Sequence, residues 1–181
     1  MSQQVHPDVA RHFLDDIIET LYRYKDMSEK AIAQVPDDKL HWRPDDEANS
    51  IAINVRHMVG NMHSRFTDFL TTDGEKPWRH RDTEFEPPEE DRAALMERWN
   101  GGWKVLMNTL ESLSANDTMS VITIRGEDHT VVQALVRAIS HYAYHVGQIV
   151  QLARQLVGPD DWQTLSIARG DSEDYRPTGR L

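Results

Sequence analysis

The chain of 181 residues contains no cysteine. That absence excludes disulfides, thiolate metal sites and a cysteine nucleophile together. Any site for a borderline metal must therefore be built from histidine, with carboxylates or water in support. Long hydrophobic runs are also missing. No apolar stretch approaches the roughly 18 residues that a membrane span requires, and the opening MSQQVHPDVARHF lacks the basic-then-apolar layout of a secretory signal. A cytoplasmic protein with no membrane partner is the expectation. Positive charge is scarce, with 20 Lys and Arg against 30 Asp and Glu and a net charge of -10. Counterion release from nucleic acid needs clustered cations, so no nucleic-acid partner is expected. No Gly/Ser linker, repeat or low-complexity tract divides the chain. Residues 1–181 are read as one domain, with a partly extended tail over 160–181.

What the chain does have is helical periodicity. From Pro7 to Gln34, Val9, Phe13, Ile17, Leu21, Tyr24 and Met27 recur at spacings of three and four. A second helix is expected after Pro44, capped by Asn49 or Ser50 and running to Thr71. A polar loop, Asp73 to Pro88, follows; loops of this length in compact domains are often functional. The third helix is expected from Pro88 to Leu113. Its Asn100-Gly101-Gly102 would ordinarily mark a turn, but Leu95, Trp99, Trp103, Leu106 and Leu110 keep one register through it. Met119 to Ile124 alternates and is followed by Arg125-Gly126, which predicts a small hairpin with His129 on its return. Thr130 and Gln133 form a capping-box pattern for a fourth helix that Gly158 and Pro159 close. Four long helices, a crossover loop and a small β-hairpin before the last helix predict an all-α four-helix bundle.

The fourth helix carries SHYAYHVGQ, in which His141 and His145 lie four apart. Each residue turns a helix by about 100°, so this spacing leaves the two imidazoles side by side, as two ligands of one ion require. In the second helix, Asn54, His57, Asn61 and Ser64 make a polar stripe flanked by Ile51, Val55, Met58 and Phe66, and His63 lies away from it. Such a stripe is either a solvated face or the lining of a polar cavity. If it lines a cavity, His57, His141 and His145 form a tripod with an open position, the mark of catalytic rather than structural metal sites. Gln148 would then support an imidazole or a bound water from behind, and Asn54, Asn61 and Arg137 would contact substrate, Arg137 as the partner of an anion. The loop, with Trp78 and Arg79, would close over them. Otherwise these histidines satisfy one another, Arg137 makes a surface salt bridge and Gln148 is solvated. Tyr142 and Tyr144 are expected to pack, and His6, His12, His41, His80 and His129 to lie at the surface.

HYAYHVGQIVQLAR, together with NVRHMVGN in the second helix, resembles the DinB-like superfamily of metal-dependent bundle enzymes. DGEKPWRHRDTEF, ITIRGEDHTV and WQTLSIARG are similar to a branch of it catalogued only as a domain of unknown function. The resemblance implies up-down-down-up connectivity and a metal triad at His57, His141 and His145, with zinc as the expected ion and nickel as an alternative. It further implies a transferase that conjugates a low-molecular-weight thiol to an electrophile, or a related thiol-dependent isomerase. A non-catalytic metal-binding stress-response or sensor protein is the alternative. Many relatives carry Arg directly after the second histidine of the pair; here Val146 stands there, so Arg137 or Arg125 would have to hold the thiol's carboxylates. The branch commonly pairs, and five tryptophans are generous for one bundle of this size. A homodimer is therefore expected, with Trp162 to Ile167 reaching the partner or covering the bundle end.

Overall fold

The helix boundaries follow from identifiable residues. The computed structural model describes residues 6–86 and 90–176. Helix α1, Pro7–Gln34, starts on a proline whose fixed φ suits a first turn; the His6 ring accepts the Asp8 N–H at 3.3 Å. It ends where Val35 turns extended before Pro36. Helix α2, Ile51–Phe66, is capped by Ser50, whose Oγ accepts the Ile53 N–H at 3.1 Å. It stops short of the expected Thr71. Asp68 takes a left-handed φ of 51°, and its carbonyl accepts from Thr71 and Thr72 in a separate turn.

Helix α3, Arg92–Ser112, is capped by Asp91 and passes through Asn100-Gly101-Gly102 without a break. Pro88, its expected start and the end of the expected loop, lies outside the described residues. Strands β1, Val121–Ile124, and β2, Glu127–Thr130, pair antiparallel with Ile124 opposite Glu127. Helix α4, Val131–Val157, opens on the Thr130/Gln133 capping box and ends at Gly158, φ 89°.

Each helix packs on two others, closing a ring α1–α3–α2–α4. Named contacts give the directions. Gly102 meets Val59 and Thr109 donates to the Phe66 carbonyl, so α2 and α3 run parallel. Tyr22 bonds Glu111 and Trp99 bonds Glu29, so α1 runs against α3. Asn54 faces His145 and His57 faces His141, so α2 runs against α4.

The interior is filled by Leu14, Leu21, Ile51, Met58, Met62, Leu95, Trp99, Trp103, Leu106, Tyr142 and Ile149, all within 2% exposure. Two residues expected to pack are outside. Val9 is 61% exposed because the inward stripe of α1 begins at Ala10 and continues through Leu14 and Ile17; Tyr144 is 65% exposed beside the buried His145. His41 and His129, expected at the surface, are half-buried. Trp162 and Leu165 pack on the core of their own chain. Gln163 and Gln34 exchange hydrogen bonds of 2.7 and 3.1 Å, so this part of the tail covers the end of α1. Residues 177–181 lie outside the described residues.

The two central glycines of α3 differ in surroundings, which generates a paired prediction. A Cβ on Gly102 would press on both Val59 methyls and the Met62 sulfur, whereas one on Gly101 would meet nothing within 4 Å. Gly101→Ala should raise stability by roughly 0.5–1 kcal/mol by restricting the unfolded chain. Gly102→Leu should lower it by about 1–3 kcal/mol through overpacking. Urea midpoints that move in the same direction for the two variants would contradict this packing.

Candidate metal centre

The polar stripe of α2 turns inward. Asn54, His57 and Ser64 are buried and Asn61 is half-buried, so the stripe is not a solvated face, and His57 and Asn61 line a cavity. His57 is 4% exposed and His145 5%, while His141 is half-buried. The ligand nitrogens of the three lie within 4.8 Å of one another. His57 Nε2 is 3.1 Å from His141 Nε2, and His145 Nε2 is 3.2 Å from the same atom. Two imidazole nitrogens bound tetrahedrally to one ion at 2.0–2.1 Å would stand about 3.3 Å apart. The spacing fits a shared ion.

The far sides of the rings decide which protons they carry. His57 Nδ1 lies 2.9 Å from Glu84 Oε2, and His145 Nδ1 lies 2.9 Å from Asn54 Oδ1. A carboxylate in the ionised form and an amide oxygen only accept. The amide orientation follows from its other end, where Asn54 Nδ2 donates to the Ser50 carbonyl at 3.0 Å. Both rings therefore donate from Nδ1 and carry a lone pair on Nε2. His141 can donate one Nε2 proton to one of them, which leaves at least one close nitrogen pair without a proton. A cation resolves that arrangement, and the donor set suits a divalent ion.

Glu84 is held from three directions. Arg79, its side chain almost wholly buried, donates from Nε to Oε1 at 2.8 Å and from Nη2 to Oε2 at 2.9 Å. Gly60 makes room on α2, since a Cβ there would fall on the Glu84 carboxylate. Burial works against the charged form of Glu84, but hydrogen bonds from His57 and Arg79 outweigh it and hold the carboxyl below its ordinary value. Phe85 lies tilted against the His57 ring at 4.8 Å, and Arg81 lies over the Phe85 face. Burial and the neighbouring histidines push His141 down to about 3 and His145 to about 4. Both rings are neutral at neutral pH, the form that metal ligation requires.

The remaining sequence candidates fall in different places. Asn54 is fully buried behind His145 and orients that ring instead of facing a substrate. Asn61 accepts the Tyr142 hydroxyl at 2.9 Å and lines a cavity of about 220 Å³ with His57, His141 and Arg137. Gln148 is half-buried, and its side chain acts on His145 in favour of the charged ring. His63 lines a separate cavity on the α3 side with Trp78 and Arg98. Arg79, expected in a closing loop, is instead fixed in a clamp on Glu84. Sequence reasoning missed Glu84 altogether. The available signal was an acidic residue in a long loop that also carries Arg79 and Arg81, read together with the need of a ligating histidine for an acceptor behind it.

The chain matches a family described as "Protein of unknown function (DUF1572)" over residues 8–171, and it belongs to that family. No curated protein matches it.

Two outcomes are expected from this geometry. Glu84→Gln and Gly60→Ala should each weaken divalent-metal affinity by about 10–100-fold, measured by competition with a chromophoric chelator; affinities equal to wild type would remove Glu84 from the centre. In metal-free protein, the lowered values of His141 and His145 make the unfolded chain bind more protons below its ordinary 6.5. The stability that these neutral rings contribute should be complete above about pH 6.5 and lost as pH falls through about 4 and 3. The same titration on His141→Gln should show a shallower loss over that window.

Proposed function

We propose that the chain is a metal-dependent transferase that uses a low-molecular-weight thiol, or a related thiol-dependent isomerase, built as a four-helix bundle of up-down-down-up, DinB-like connectivity in a single domain. The observation that carries this reading is the convergence of three imidazole Nε2 atoms at the wall of a cavity lined by arginines. His57, His141 and His145 would hold the ion, with zinc preferred for three nitrogen donors and nickel able to replace it. A divalent ion there would lower the pKa of a bound thiol and keep its sulfur as thiolate near neutral pH.

The protein's own groups do the rest. Glu84 and Asn54 fix the tautomers of His57 and His145, and Arg79 keeps Glu84 charged. Asn61, held by the Tyr142 hydroxyl, presents a polar edge to the cavity, and Arg137, exposed and lining the same space, would pair with an anionic group. In the reaction a bond forms between sulfur and the electrophilic carbon. The leaving group departs with its electron pair, and the thiol proton passes to solvent.

A homodimer belongs to the same proposal. Its support is narrower than the tryptophan count suggested, because Trp99, Trp103 and Trp162 pack within their own chain, leaving Trp42 and Trp78 outside. Sedimentation as a monomer at micromolar concentration would remove it.

The test of function begins with protein purified without a nickel column. Elemental analysis should find one equivalent of a divalent metal, lost in His57→Ala, His141→Ala and His145→Ala while far-UV dichroism stays helical. A full equivalent in all three variants would overturn the site. A screen of thiols against electrophiles should then show metal-dependent conjugation. A metal-replete protein inactive with every pair would favour the non-catalytic sensor reading.

A further inference from the structure

The cavity beside the triad carries five arginines, Arg65, Arg79, Arg81, Arg125 and Arg137, and no carboxylate among its lining residues. In a chain of net charge -10 that concentration is local and one-sided. Arg79 is taken up by Glu84, and Arg81 is engaged with Phe85 and the exposed Asp82. Arg65 and Arg125 converge elsewhere, on one oxygen of Glu75, at 3.0 and 2.8 Å. Glu75 offsets one of these two charges, and the Asp73 carboxylate stands near Arg65 as well, both carboxylates lying outside the cavity lining.

This second group stands at the opposite end of the cavity from the metal. Arg65 follows His57 by eight residues on α2, a rise of about 12 Å. Phe66, Phe69, Ile124, Ala134 and Ala138 supply apolar wall, the two alanines on the turns of α4 that precede His141. The space is therefore polar at both ends, with apolar wall interrupted by Asn61 and Arg137 between them.

Arg125 has a second peculiarity. It and Gly126 form the two-residue turn of the hairpin, with φ of 56° and 75°. Turns of this kind favour Asn, Asp or Gly at the first position, because other L-residues are strained there. Arg125 is held in place from outside the hairpin: Asp73 accepts its N–H at 2.9 Å and that of Gly126 at 2.8 Å. The turn itself does not call for arginine. The Arg125 side chain pairs with Glu75 and lines the cavity.

Resting on the metal-thiol reading above, we propose that Arg125, with Arg65, forms a distal subsite for an anionic group, carboxylate or phosphate, carried on the substrate about 12 Å from its metal-binding atom. Arg125 is the specificity-determining residue for that anion. The substrate is thus an elongated molecule with a sulfur head and an acidic far end.

The experiment uses full-length protein loaded with cobalt(II), in which thiolate ligation gives a charge-transfer absorption. Mercaptooctanoic acid is titrated against mercaptooctanol, which has the same length and no charge. The acid should bind at least tenfold more tightly to wild type. That advantage should vanish in Arg125→Asn and Arg125→Gln, with the alcohol unaffected. Arg125→Asn should also keep or raise the melting temperature, since asparagine accepts the left-handed backbone, so that lost affinity cannot be read as unfolding. Equal affinity of acid and alcohol in wild type would overturn the subsite, as would an advantage that survives both substitutions. If neither thiol produces the absorption, the thiol reading fails by itself. The subsite is then judged by calorimetry of octanoate against octanol on metal-free protein, with the same two variants and the same criterion. Tighter binding of the matching phosphonate than of the acid, again lost in both variants, would assign the subsite to phosphate.

Discussion

Nitrogen lone pairs repel, and a folded chain does not hold them face to face without something positive between them or a proton to share. At this centre the protons of two imidazoles are committed outward, to Glu84 and to Asn54, which leaves two Nε2 lone pairs aimed at His141. Much of the local architecture maintains that commitment. The Ser50 carbonyl orients the Asn54 amide, Arg79 keeps Glu84 ionised, and Gly60 leaves the space that the carboxylate occupies. The antiparallel contact of α2 with α4 then brings the three rings to one point.

Charge is arranged on a larger scale by the same logic. The chain is acidic overall, yet the cavity is walled by guanidinium groups. An excess of one sign inside a cleft with low-dielectric walls attracts the opposite sign more strongly than the same charges would on an open surface. The carboxylates that balance these arginines, Glu75 and Glu84, stand behind them instead of in the cavity.

Periodicity made much of this readable from residues alone. The bounds of α1 and α4, the continuity of α3 through its glycines and the hairpin before α4 all follow from apolar spacing and capping residues. The inward turn of the α2 stripe was legible as one of two options, and the apolar flanks Ile51, Val55, Met58 and Phe66 are the reason it turned inward. Depth was not legible: Asn54 and Asn61 share a stripe, but one lies behind a ligand and the other faces the cavity. Glu84 was hidden for a different reason. A loop residue has no period, and its distance to His57 depends on how the loop folds over Gly60. The left-handed backbone of Arg125 was equally silent, because its cause lies in the Asp73 carboxylate, far along the chain.

The three histidines are not equally constrained. His57 and His145 are buried and fixed at Nδ1, whereas His141 is half-buried, and among the described residues its Nδ1 has no partner. Two rings are thus already held in the orientation an ion would need, and the third is held less tightly. An ion bound by this pair would cost little further entropy there, and the remaining ordering would fall on His141. The lifetime of such an ion would then depend most on the least restrained of its ligands, and the residues around that ring, more than those that lock the other two, would set how readily one metal is exchanged for another.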